Sequence, residues 1–147
     1  MNFVHIHLAI NHSPLYATLF AFFFLLIGMI IRNRSIATAG LVIAIIAALC
    51  AIAADLTGDR AADIIKNGPP IAGVETTMIG PHDEAAGWFL TASCITGGLA
   101  ILTLFVRRRW LEVLMLFALV FSLSIVVRVA LLGGRIHHPE VRAVVRG

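Results

Sequence analysis

Four stretches of the chain carry apolar residues almost without interruption. Residues 15–31 end at Arg32, 36–54 end at Asp55, 85–106 end at Arg107, and 110–134 contain a single basic residue, Arg128, beyond the Glu112 of their first turn. Each run is about 17 to 25 residues, the length an α-helix needs to cross the hydrocarbon core of a bilayer. Membrane-spanning β-strands need only about ten residues with strict alternation, and no such alternation is present. The pattern therefore predicts an all-α, integral membrane four-helix bundle, up-down-up-down, with helices at about 14–31, 36–54, 82–106 and 110–133.

The polar segments between the runs alternate in length. Short turns join helices 1 and 2 and helices 3 and 4, so both lie on one face of the membrane. The N-terminal segment, the 55–84 connection and the C-terminal tail lie on the other. Within the long connection, Asp59 to Lys66 reads as a short amphipathic helix with Ala61, Ile64 and Ile65 on its apolar side. Asn67-Gly68-Pro69-Pro70 ends it. Gly40, Ala44, Ala47, Ala51 and Asp55 fall along one face of helix 2, and Gly87, Thr91, Cys94 and Gly98 along one face of helix 3. Small residues at this spacing predict close helix packing, and they also leave room for a flat cofactor.

Composition strengthens the membrane reading. Apolar residues make up 60% of the chain and charged residues 13%, against about a quarter charged in a soluble domain. The net charge of +3 forms no stripe or aromatic-interleaved patch, which argues against nucleic-acid binding. Cys50 and Cys94 lie inside apolar runs and imply no disulfide framework. The first apolar run lacks a basic segment before it and reads as a retained helix rather than a cleaved signal. The short turns hold Arg32, Arg34, Arg107, Arg108 and Arg109 with only Glu112 among the acids near them. That density predicts cytoplasmic turns and both termini outside, in the periplasm.

Charge also places the candidate chemistry. All six histidines, His5, His7, His12, His82, His137 and His138, belong to the face with the long segments. Polarity alone accounts for much of this, because imidazoles seldom sit in lipid. A shared ligand site is the alternative, since neutral imidazole binds Zn, Cu and Fe and is the axial ligand of b-type haem. The candidate cofactor-binding residues are His7, His12, His82 and His138, with Arg128 as a partner for Asp55, Glu84 or a haem propionate. A transition metal would draw on His5, His7, His12, His82, Glu84, His138 and Glu140. If helix 1 runs upstream past Pro14, His5 and His12 share a face and His7 points elsewhere.

Four motifs stand in order: His5-Ile6-His7 with Asn11-His12-Ser13-Pro14; Thr57-Gly58 with Ala61-Ala62-Asp63; His82-Asp83-Glu84-Ala85-Ala86; and Gly133-Gly134-Arg135-Ile136-His137-His138-Pro139-Glu140. On these motifs the chain resembles the four-helix bacterial membrane proteins related to the DUF2231 group, over nearly its whole length. The resemblance implies the same fold and the bacterial inner membrane. It supplies positions without an activity. His137 stands where such proteins often carry arginine, and Arg128 stands where a small apolar residue is expected.

These observations lead to a membrane-embedded redox subunit holding haem b or a transition metal near the outer face. Its electron partner would be a periplasmic cytochrome or a quinone. The rival is a structural or assembly subunit of a larger membrane complex, or a homo-oligomer, with the histidines as a polar cap. No hydrolytic motif is present, so the chain is not expected to be an enzyme on its own. A transporter is disfavoured, because no internal repeat is evident in the sequence and broken helices do not come in pairs.

Overall fold

The computed structural model describes residues 2–138, the side chain of His137 excepted. Its helices are α1 (Phe3–Ile10), α2 (Ser13–Ile30), α3 (Arg34–Asn67), α4 (Ile79–Val106) and α5 (Arg109–His137), with a 3-10 turn at Thr76–Met78. There is no strand among the described residues. Four of the resulting helical segments are long and apolar enough to cross a membrane: Phe3–Ile30, Arg34–Asn67, Thr76–Val106 and Arg109–Ile136. Large apolar side chains such as Phe20, Phe105, Phe117 and Phe121 lie on the outside of the bundle, where only lipid can satisfy them. The protein is thus a multi-pass helical bundle.

Two elements differ from the sequence-based expectation. The first helix does extend upstream of Pro14, as one rod bent at Asn11 and His12. Pro14 has no N–H for the Ile10 carbonyl, and the Ser13 hydroxyl donates to that carbonyl instead at 2.6 Å. The short amphipathic helix expected at 59–66 is not separate. It is the last part of α3, which runs unbroken for 34 residues, or about 50 Å at 1.5 Å per residue. Asp55 does not end the helix: α1 packs against α3, and Ala61 and Ala62 beyond Asp55 are buried, Ala62 against Ile79 and Ile136.

The packing order is a closed ring: α2 beside α3, α3 beside α4, α4 beside α5, and α5 back against α2. The core near the arginine-rich turns joins Ala21, Leu25, Leu41, Ala44, Ala100, Met115 and Leu119. Gly40, Ala44, Ala47 and Ala51 are buried as expected. The stripe on the third span is not. Thr91, Cys94 and Gly98 are exposed, and the buried positions of α4 are Ile79, Ala85, Phe89, Ala92, Ser93, Thr96, Gly97, Ala100 and Thr103. Helical spacing marked a face correctly but did not say which face turns inward.

The two short turns share one backbone geometry. Arg32 and Arg107 both take the left-handed conformation, with φ of 55° and 50°, and Arg107 lies 75 positions after Arg32. The same offset relates many of the buried positions, although the buried Met29, Ala37, Leu41 and Ala48 fall opposite the half-buried Leu104, Glu112, Leu116 and Leu123. Pro14, Thr18, Ala21, Leu25 and Gly28 of α2 correspond to Phe89, Ser93, Thr96, Ala100 and Thr103 of α4, all buried. Gly40, Ala44, Ala47, Ala51 and Ala61 of α3 correspond to Met115, Leu119, Ser122, Val126 and Ile136 of α5, again all buried. The two halves thus share turn geometry and much of their burial pattern. All ten paired positions carry different residues, so residue identity does not show what burial does.

The turns differ in capping. The Asn33 side chain accepts hydrogen bonds from the backbone N–H of Ser35 and Ile36 at 3.0 and 3.2 Å, whereas Arg108, its counterpart, gives α5 no side-chain cap. Asn33→Ala is expected to cost about 1 kcal/mol and Arg108→Asn to stabilise by a similar amount. Opposite shifts of the unfolding midpoint in detergent would check both.

Candidate functional site

At the end of the bundle away from the arginine turns, the helices enclose a partly open cavity of about 300 Å³. Its inner wall is the cluster Ala51, Phe89 and Val126. Its outer wall is Ala62, Ile79 and Ile136, with Val74 and Met78 of the long connection packed against them. The backbone N–H of Glu75 donates to the Ile136 carbonyl at 3.0 Å and ties that connection across the end of α5. The polar groups on this largely apolar surface are His7, His12, His82 and His138, with Asn11, Asp55, Asp59 and Asp83. The four histidines expected to bind a cofactor therefore all border one cavity.

Two of them are held in the same way. His7 projects from α1 onto α3, where its Nδ1 lies 3.1 Å from the Ala54 carbonyl and 3.3 Å from the Thr57 hydroxyl. His82 projects from the first turn of α4 onto α5, where its Nδ1 lies 3.2 Å from the Val129 carbonyl. A carbonyl only accepts, so Nδ1 carries the proton in both rings, and Nε2 is the lone-pair nitrogen of the neutral imidazole. A glycine four residues after each carbonyl makes room for the ring. A Cβ at Gly58 would lie 3.1 Å from His7 Cε1, and one at Gly133 would lie 3.2 Å from His82 Cε1.

The remaining candidates divide. His12 is exposed at the bend, with its Nδ1 against the Asn11 side-chain oxygen. His138 is exposed at the end of α5. His5 hydrogen-bonds Asn2 at 2.6 Å and does not border the cavity. The expectation that His5 and His12 share a face while His7 points elsewhere does not hold for the cavity: His7 and His12 both border it, His5 does not, and His7 is hydrogen-bonded to α3. Glu84 is exposed and outside the lining. Glu140 lies outside the described residues. Arg128 is exposed on α5 and does not border the cavity. Ion pairs join Lys66 to Asp83 at 3.5 Å and Arg109 to Glu112 at 3.1 Å, and among the described residues Arg128 pairs with neither Asp55 nor Glu84.

No three His, Cys, Asp or Glu side chains among the described residues converge as a metal-ligand set. The residues that sequence reasoning passed over as site residues are Asp55, Asp59 and Asp83 on the lining and the two glycines behind the imidazoles. The readable signal was the spacing itself: 51 residues separate each histidine from its glycine.

No protein-family model matches the chain, and neither a curated protein nor a solved structure does.

Proposed function

We propose that the protein is a membrane-embedded electron-transfer subunit that holds haem b in the outer-face cavity, with His7 and His82 as the axial ligands. The carrying observation is the matched setting of these two imidazoles, each donating Nδ1–H to a main-chain carbonyl. That bond is the outer-shell contact that fixes the tautomer and orientation of a ligating histidine. A non-haem metal wants three or four ligands at one point, which the described residues do not provide, whereas haem needs only an opposed pair. The apolar wall suits a macrocycle. The 300 Å³ volume is at the small end for ligand sites, so part of a haem would extend beyond it. Bound there, haem would supply one-electron redox chemistry, and this chain would orient the group and exclude water from it.

On this reading the arginine turns are cytoplasmic, the cavity faces the periplasm of a bacterial inner membrane, and a periplasmic cytochrome or a quinone exchanges the electron. On the four motifs we also propose kinship with the DUF2231-related proteins. Cysteine labels placed at Ser35 and at Gly73 in a cysteine-free background test the orientation. Membrane-impermeant maleimide on intact cells is expected to react at residue 73 alone, and the reverse pattern would overturn it.

The test of function is the visible spectrum of full-length protein purified from haem-supplied cells, before and after dithionite. A low-spin b-type difference spectrum is expected. A colourless preparation that also takes up no added haemin would refute the proposal and return the histidines to the role of a polar cap.

A further inference from the structure

We infer that the chain is a tandem duplication of one helical hairpin and that the cavity is a two-fold site, built like the interface of a homodimer, in which His7 and His82 are equivalent ligands. The inference about ligands rests on the haem reading; the duplication does not.

The 75-residue offset that relates the turns and the buried faces also relates the cavity. His7, Ala54 and Gly58 become His82, Val129 and Gly133, and the hydrogen bond between the first two members recurs at 3.1 and 3.2 Å. Ten of the twelve lining residues in the second hairpin stand 75 positions after a lining residue in the first. A cavity at an arbitrary place between four helices would be lined by unrelated positions of the two halves. One lined by corresponding positions lies across the axis that exchanges them. The packing ring has the same symmetry, since the exchange turns the α2–α3 contact into α4–α5 and the α3–α4 contact into α5–α2. Polar positions outside the site follow it too: Arg32, Arg34 and Arg60 have Arg107, Arg109 and Arg135 as counterparts.

The occupant is therefore one approached alike from two sides. A haem held by both His7 and His82 would meet that requirement, and a ligand held at one end only would not. The symmetry is broken in charge, with Asp55 and Asp59 facing Ala130 and Gly134, and Asp83 facing Leu8, across the exchange. It is also broken in backbone, because the bend before Pro14 has no counterpart in α4, where Phe89 occupies the proline's position. The two sides are equivalent in geometry and distinct in electrostatics.

Full-length His7→Ala, His82→Ala and the double variant, each titrated with haemin, test the inference. Both single variants are expected to convert low-spin haem to the same five-coordinate spectrum, each with a loss of about tenfold or more in affinity, the scale on which even outer-shell partners act. The double variant is expected to lose axial ligation. A one-sided result, in which one variant abolishes ligation and the other leaves the spectrum unchanged, would overturn the two-fold site and leave the haem reading standing. If the wild type binds no haemin, the haem reading fails and the two-fold geometry is read by NMR on ¹⁵N-histidine-labelled protein. Loss of one Nδ1-protonated ring in each single variant would then support it, whatever the exposed His5 and His12 contribute. Loss of such a ring in only one single variant, or in neither, would overturn it.

Discussion

Gly40→Leu is expected to leave little assembled protein. A Cβ at this position would lie 2.5 Å from the Leu25 backbone nitrogen and 2.9 Å from its Cα, and one at Gly28 would lie 2.3 Å from the Ala37 nitrogen. The obstacles are main chain, so no rotamer change relieves them, and α2 must move away from α3. Overpacking against side chains that can yield costs about 1–3 kcal/mol, and forcing two backbones apart belongs at or above the top of that range. Gly28→Leu should behave the same way. Gly98→Leu is the control, because nothing lies within 4 Å of its Cβ position and the residue faces outward. Size-exclusion profiles and unfolding midpoints in detergent would show aggregation or early unfolding for the first two variants and a wild-type trace for the third. A monodisperse Gly40→Leu protein with an unchanged midpoint would contradict this account of the α2–α3 contact.

That contrast between Gly40 and Gly98 marks where the sequence stopped being informative. Length and hydropathy are local properties, so the four spans and the short turns could be read directly. Which side of a helix faces its neighbours is decided by the other helices. The central residues of the membrane spans are almost all apolar or small, and the usual polar-out signal is missing. The outward stripe at Gly87, Thr91, Cys94 and Gly98 was misread for that reason. The end of α3 was misplaced because Asp55 marks the end of an apolar run, whereas the helix runs on past it, with α1 packed against α3. That His7, His12, His82 and His138 come to one cavity was legible, since histidines of one membrane face have few places to go but the space between the helix ends. The choice of His7 and His82 among them was not. It depends on carbonyls at Ala54 and Val129 that belong to other helices.

The glycines behind those imidazoles should separate ligand binding from stability. In an exposed helix, glycine to alanine gains up to about 1 kcal/mol, because the backbone loses less freedom on folding. At Gly58 and Gly133 the added methyl would stand 3.1 and 3.2 Å from an imidazole carbon, so each ring must shift by a few tenths of an ångström. The opposing terms are comparable, and Gly58→Ala and Gly133→Ala are expected to keep near-wild-type unfolding midpoints. If the cavity holds haem as proposed, haem affinity has no such compensation. Moving either ring lengthens its bond to the carbonyl that orients it, and loss of an outer-shell partner costs about 10–100-fold in affinity. Gly133→Val, with a branched side chain, should displace His82 altogether and give the five-coordinate spectrum of His82→Ala while the bundle stays folded. Adding Gly133→Val to His82→Ala should then change the spectrum no further, because the ring it displaces is already gone. If Gly133→Val instead unfolds the protein in the His82→Ala background, the glycine serves helix packing and not the imidazole.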